Sequence, residues 1–128
     1  MLDKPYIYEY AVIRLVPKVE REEFINIGLA ILCKKEGWIK MDYLLKPNLL
    51  ACLCPQIDSA FIQRNLEAFK SIAHGENESS PIAKMDVAER FRWLTAVRSS
   101  IIQTSRPHVG LSKDLEETFL CLFNELVE

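Results

Sequence analysis

The stretch RLVPKVEREEFINIG at residues 14–28 contains six charged residues, five of them between two apolar runs, and it decides the fold predicted for this chain. The run that leads into it, residues 6–16, reads YIYEYAVIRLV, and the run that leaves it, residues 25–33, reads INIGLAILC. Side chains in both runs alternate with a period of two, and aromatic and β-branched residues are frequent, as is typical of β-strands. The stretch therefore predicts two strands joined by a charged connection, PKVEREEF.

The remaining elements can be predicted from periodicity and from turn and cap residues. They are a turn at 34–37, a third strand at 38–45, a short apolar turn after Pro47, an amphipathic helix at 57–73, a helix from Asp86 to about residue 98, a short strand at 100–105 and a last helix capped by Ser112. The order β-β-β-α-α-β-α belongs to the α+β class. We expect one domain, residues 1–128, with an antiparallel three- to four-stranded sheet and helices packed over it.

The composition is that of an ordinary globular domain. The chain has 128 residues, of which 49% are hydrophobic and 27% charged, and its formal net charge is −2. This balance argues against a protein whose main task is to neutralise phosphates. The longest apolar run, IGLAILC at 27–33, is far shorter than the roughly 20 residues that span a bilayer, and the N-terminus lacks an apolar signal segment. We therefore expect a cytoplasmic protein with no membrane association.

The cysteines, histidines and glycines predict no metal and no cofactor. The four cysteines contain no C-x-x-C pair, so we expect them to be reduced, small buried residues. The two histidines, His74 and His108, do not stand at a metal-binding spacing. The four glycines never cluster, which excludes the glycine-rich phosphate loops of nucleotide-binding proteins.

The first candidate binding site lies at the ends of the two leading strands. If these strands pair antiparallel, Arg14 and Asn26 share a face beside Gly28, where the missing side chain leaves a dent. A tyrosine ring or a ligand could fill that dent. The guanidinium of Arg14 suits a carboxylate or a phosphate, but one of Glu20, Glu22 or Glu23 of the connection could equally pair with it. The connection itself reads as a solvated turn, a surface for a partner protein or, least of all, a source of catalytic carboxylates.

The second candidate site is the segment ERFRWLTAVRSSIIQTSRPHVGLS at 89–112. It contains Arg90 and Arg98, serines that include Ser99 and Ser105, and His108, which stands between Pro107 and Gly110. The arginines with Phe91 and Trp93 could form a phosphate-reading or base-stacking surface, or the aromatic residues could belong to the core. His108, on a predicted loop, could act as an acid or base, but no motif frames a nucleophilic serine. The plainer interpretation is that the histidine and the serines form hydrogen bonds with the loop backbone.

These two segments together resemble the signature blocks of a bacterial family catalogued as domain of unknown function 3037. The resemblance rests on the arginine at the strand end, the block E-R-E-E-F-x-N-x-G and the later block S-x-x-H-x-G, in that order. With the strand YEYAVI and the terminal helix, it covers nearly the whole chain. It implies no activity. It does suggest a partner, because members of the family are often encoded beside HipA-like serine/threonine kinases.

The leading hypothesis is a cytoplasmic protein-binding partner or regulatory module, with a HipA-like kinase as one possible partner. No complete catalytic constellation is visible, so an enzyme is the less favoured class. The alternative is an enzyme or binding domain for a phosphate-bearing or other anionic ligand, which requires Arg14, Arg90, Arg98 and His108 to converge. Nucleic-acid binding is a weaker alternative. The oligomeric state is not predicted.

Overall fold

The computed structural model of the chain describes residues 4–17, 23–53, 58–76, 81–96 and 101–128. Its strands are β1 (Tyr6–Leu15), β2 (Ile25–Cys33), β3 (Trp38–Tyr43), β4 (Ile102–Thr104) and β5 (His108–Ser112). Its helices are α1 (Pro47–Leu53), α2 (Ser59–Ala73), α3 (Val87–Leu94) and α4 (Leu115–Leu126), with a 3-10 turn at Ile82–Lys84. The predicted α+β class with an antiparallel sheet is confirmed. The described elements follow the order β-β-β-α-α-α-β-β-α, one helix and one strand more than predicted.

The strand β1 forms the centre of the sheet. It pairs antiparallel with β2, which pairs in turn with β3, so the predicted meander of three strands is confirmed. On its other side β1 pairs with β4 at Ile13–Leu15 and with β5 at Tyr6–Tyr10. The strand β5 was predicted as a loop because HVGLS follows Arg-Pro and contains a glycine. Its strand conformation comes from long-range pairing, which supplies partners for its backbone groups.

Helices cover the sheet on both faces. On one face, which we call the α2–α3 face, the buried residues Ala11, Ile13 and Leu15 of β1 join the helical residues Ile62 and Phe91 in one core. On the opposite face, the α4 face, Tyr8, Leu29 and Ile31 pack with Phe119 and Val127. Alternation along β1 therefore divides its side chains between two cores.

The helix ends follow local capping chemistry. Asp58 is the N-cap of α2 and accepts hydrogen bonds from the amides of Ala60 and Phe61. At the other end the C-cap is His74, and Gly75, with φ of 70°, follows it. The predicted stop at His-Gly is thus confirmed, because glycine adopts positive φ without a steric cost. Asp86 begins α3, as predicted, by accepting from the amide of Glu89. The helix α3 ends at Leu94, four residues earlier than predicted.

Three smaller expectations need correction. Ser112 does not cap α4: the cap is Asp114, and the Ser112 hydroxyl accepts from the Asp114 amide and bonds the Thr118 hydroxyl. The turn predicted after Pro47 is the helix α1. Of the cysteines in the described residues, Cys33 is buried as expected, but Cys52 and Cys121 are exposed.

Two absences hold for the described ranges. None of the helices there is long and apolar enough to cross a membrane. No group of three or more histidine, cysteine, aspartate or glutamate side chains in those ranges is arranged to hold a metal ion.

Candidate functional site

Arg14 lies in the middle of the sheet, where three strands meet. Its pairing partner on β2 is Asn26 and its partner on β4 is Gln103, so three polar residues form one rung across the sheet. Arg14 follows Tyr8 and Tyr10 by even steps along β1, which places the rung on the α4 face. The predicted pairing of Arg14 with Asn26 is confirmed, and part of the arginine-rich segment does meet the first strand here.

The side chains of this rung are only partly satisfied. The Asn26 amide donates to the carbonyl of Leu126, at 3.1 Å, near the end of α4. The Arg14 guanidinium lies over the Phe24 ring, 4.1 Å from its centre, a cation–π contact. The Nε atom of Arg14 and the Oδ1 atom of Asn26 are both buried without a hydrogen-bond partner. Because buried polar atoms are normally paired, these two unpaired atoms distinguish the rung among the described residues of the α4 face.

Strand alternation predicts that Gly28 shares a face with Arg14 and Asn26, but Gly28 lies on the opposite face of the sheet. The register shifts between Ile13 and Arg14, so that Gly28 pairs with Ile13 while Asn26 pairs with Arg14. The shift accommodates one extra residue of β2, Ile27, which reverses the faces of the residues beyond it. A Cβ atom at Gly28 would lie 2.8 Å from the Asp42 carbonyl oxygen and 3.2 Å from the Ile13 side chain. The expected dent is therefore filled by the chain itself, on the α2–α3 face.

The ring of Tyr8 covers Gly110, the glycine of the second candidate site. A Cβ atom at Gly110 would lie 2.5 Å from the Tyr8 ring, because Gly110 is the pairing partner of Tyr8. His108 pairs with Tyr10, and the centres of the two rings are 5.2 Å apart. These contacts form a row of aromatic rings over β5 at the edge of the α4 face.

Ser105 has a structural role at the end of β4. It is buried, and its hydroxyl accepts from the Val12 amide at 2.9 Å and donates to the Arg106 carbonyl at 3.1 Å. Both bonds hold the chain where it leaves β4 and turns towards β5. The interpretation of serines as backbone-bonding residues fits Ser105.

Three cations of the predicted anion site, Arg14, Arg90 and His108, lie in the described residues and do not share one cleft. Arg90 belongs to α3, in the helical layer of the α2–α3 face, where its guanidinium contacts the backbone of Gly75. Arg14 and His108 lie on the opposite face. His108 pairs with Tyr10, which precedes Arg14 by four residues on β1, a distance of about 13 Å along the strand. Glu22, Arg98 and Ser99 lie outside the described residues.

The aromatic residues of α3 do not form a stacking platform. Phe91 is 2% exposed, within the core of the α2–α3 face. Trp93 packs edge-on against Phe69, with ring centres 5.6 Å apart. Since both rings are engaged by the protein, the weaker hypothesis of base stacking by Phe91 and Trp93 receives no support from this geometry.

Two features that the sequence reasoning missed are on the surface. The first is an apolar patch, which we call the β5 patch, formed by Ile7, Val109 and Leu111, at 65%, 70% and 65% exposure. Ile7 pairs with Leu111, and Val109 stands opposite Glu9, so all three side chains lie on the α2–α3 face at its uncovered end. Recognising β5 as a strand would have revealed the patch, because the face of each residue follows from alternation.

The second feature is a cleft of about 550 Å³ between the end of β3 and the helices α1 and α2, which we call the α2 cleft. Five of its lining residues are apolar, namely Leu44, Leu45, Pro47, Leu50 and Ala51. The other six carry polar groups and are Asp42, Tyr43, Ser59, Gln63, Glu67 and Lys70. No motif in the sequence marks this site, since its polar residues come from two separate elements and are ordinary surface residue types.

Comparison with protein-family models places nearly the whole chain in a family. The family model described as "Protein of unknown function (DUF3037)" matches residues 10–127, nearly the whole chain. No curated protein and no solved structure shows significant similarity to the chain. The match confirms the resemblance carried by the two charged segments, and it extends over every strand and helix from the second half of β1 to the end of α4. The chain therefore belongs to the DUF3037 family, whose description states no function.

Proposed function

We propose that this protein acts by binding another protein at the β5 patch. The observation that carries the proposal is the exposure of three large, neighbouring apolar side chains, Ile7, Val109 and Leu111, at 65% to 70%. Single exposed apolar residues are common on protein surfaces, but adjacent ones on a sheet face mark sites of interaction. Directly paired residues such as Ile7 and Leu111 have Cβ atoms about 5 Å apart, so a partner can bury them together.

The position of β5 suggests how the partner is held. Within the described residues β5 pairs with β1 alone, which leaves the hydrogen-bonding groups of its outer edge available to an added strand. An extended partner segment would bond this edge and place alternate apolar side chains over Val109 and Leu111. The exposed cations Arg106 and Lys113 flank β5 and favour a segment with acidic residues at its ends.

Binding to another protein is also the class of function that the sequence favours. Of the predicted anion-binding residues, Arg14, Arg90 and His108 lie in separate places, whereas the apolar side chains of the β5 patch are neighbours and accessible. A HipA-like kinase is the first partner to test, because the family resemblance suggests it. Regulation of that kinase would follow from occupation of its surface by the β5 patch.

The test is quantitative co-purification with a HipA-like kinase and, in parallel, from cells that express the chain. Val109→Glu places a charge in the β5 patch, and we expect partner recovery to fall by at least about tenfold. Leu120→Glu is the matched control, because Leu120 is 63% exposed on α4, away from the β5 patch. Circular dichroism confirms that both variants fold.

Two results would count against the proposal. The first is equal recovery of a partner by Val109→Glu and the unchanged protein, which would place the interaction elsewhere. The second is the absence of any reproducible partner, including the kinase, for a protein that is folded and monomeric.

A further inference from the structure

The α2 cleft lies at the opposite edge of the sheet from the β5 patch. The sheet order places β3 at one edge, and β4 and β5 beside β1 at the other. The polar side of the cleft comes largely from one stripe of α2, at Ser59, Gln63, Glu67 and Lys70. These residues are three or four positions apart, so they lie on one helix face, while Ile62 and Leu66 of the same helix are buried in the core. The helix therefore presents a polar wall to the cleft without using its core-facing stripe.

The polar groups of the cleft are held in fixed relation by two hydrogen bonds. The Tyr43 hydroxyl donates to the Glu67 carboxylate at 2.6 Å, and the Lys70 ammonium donates to the Asp42 carboxylate at 3.2 Å. Burial, and then the Glu67 carboxylate, raise the pKa of Tyr43 to about 12. The phenol thus keeps its proton at neutral pH and orients the Glu67 carboxylate at the cleft wall.

The charges of the cleft favour a cationic ligand. Asp42 and Glu67 contribute two negative charges and Lys70 one positive charge, so the lining has a formal net charge of −1. Lys70 pairs with Asp42, and among the described residues no cation forms an ion pair with Glu67. One further positive charge would balance the lining. An anion would instead be repelled by the two carboxylates.

We propose that the α2 cleft binds an alkyl cation, that is, an ammonium or guanidinium group carried on an apolar chain. The cationic group contacts the Glu67 carboxylate beside the Tyr43 ring, a combination of charge and aromatic surface that attracts such groups. The apolar chain lies against Leu44, Leu45 and Leu50, which belong to the same lining. A free alkylamine and a lysine side chain of a polypeptide share this chemistry.

The probes are hexylamine, its neutral analogue hexanol and an acetylated, amidated Gly-Lys-Gly tripeptide, each titrated into isotope-labelled protein and followed by NMR. We expect saturable shifts of the Tyr43 and Glu67 amides with a cationic probe, and binding of hexanol at least tenfold weaker than that of hexylamine. Tighter binding of the tripeptide than of hexylamine assigns the site to a polypeptide side chain, and the reverse order assigns it to a small amine.

The variant Glu67→Gln removes the charge but keeps an oxygen that can accept from Tyr43, and we expect it to weaken hexylamine binding about tenfold. Glu125→Gln, on the exposed side of α4, is the matched control and leaves the affinity unchanged. If Glu67→Gln does not fold, Asp42→Asn provides the same test, because its amide oxygen can still accept from the Tyr43 amide. Equal binding of hexanol and hexylamine, no effect of the charge-removing variant, or no binding of either cationic probe would overturn the proposal. None of these outcomes bears on the β5 patch.

Discussion

The two ends of β1 differ sharply on the same face of the sheet. At the C-terminal end, Ala11, Ile13 and Leu15 are 0%, 2% and 0% exposed beneath α2 and α3. At the N-terminal end, Ile7 and its cross-strand neighbours Val109 and Leu111 are 65% to 70% exposed. Alternation places apolar residues on this face at both ends, although Glu9 also lies on it opposite Val109. What differs is the extent of the helical layer, and so apolar residues form a core at one end and an accessible patch at the other.

The variant with the largest expected effect tests whether the two ends of β1 differ in their contribution to the free energy of unfolding as they differ in exposure. Phe91→Ala removes a ring that packs in the core of the covered end, and we expect it to lower the free energy of unfolding by about 3 to 5 kcal/mol. Val109→Ala, at the uncovered end, should change it by no more than about 0.5 kcal/mol. Urea unfolding measures both. Similar losses for the two variants would mean that the β5 patch is part of the folded core.

The two glycines allow a finer comparison, with an intermediate effect. Gly28→Ala would press a Cβ against the backbone oxygen of Asp42 and should cost about 1 to 3 kcal/mol, because backbone cannot easily move. Gly110→Ala meets the outer end of the Tyr8 ring, which can tilt, so its cost should be smaller.

A double-mutant cycle checks the cause of the Gly110 effect. In a Tyr8→Val background the ring is absent, and Gly110→Ala should then cost almost nothing, while Gly28→Ala should keep its full cost. An unchanged cost of Gly110→Ala in that background would show that ring contact is not the reason.

The smallest effect concerns one histidine in each region. At the covered end, His74 Nε2 accepts a hydrogen bond from the Met41 amide at 3.2 Å. Burial lowers the pKa of His74 below its usual value, so the unfolded chain binds the proton at a higher pH than the folded one. The free energy of unfolding should therefore fall as pH drops below about 6.5, the usual histidine value, until the folded protein is protonated as well.

Comparison with variants isolates this contribution. His74→Gln retains an acceptor for the Met41 amide but does not titrate, so the stability of the unchanged protein relative to His74→Gln should decline between pH 7.5 and pH 5. His108→Gln, at the uncovered end, is the control. Parallel stability curves for the unchanged protein and His74→Gln would exclude His74 as the titrating group.

Local signals predicted much of the fold. The period-two runs predicted β1, β2 and β3 to within two residues, and the aspartate and glycine caps predicted the start of α3 and the end of α2. Signals that depend on distant partners were missed. The strand β5 exists because β1 offers it an edge, and the helix α1, only seven residues long, is too short to show a clear helical period.

The candidate site was predicted less completely. The pairing of Arg14 with Asn26 followed from the antiparallel connection, but the extra residue Ile27 moved Gly28 to the other face. A register shift of one residue is enough for this reversal, because successive side chains of a strand point to opposite faces. The sequence also could not predict that Arg90 and Arg14 lie on opposite sides of the sheet, because this depends on which sheet face α3 covers.

The sequence by itself determined the α+β class, the three leading strands, the start of α3, the end of α2 and the membership of the DUF3037 family. These features depend on short-range periodicity, on backbone preferences of single residues, or on motifs read along the chain. Only the tertiary structure decided which apolar residues are accessible and which polar residues meet in the α2 cleft. Both depend on where helices end on the sheet, which is set by packing between segments distant in the chain rather than by any one of them.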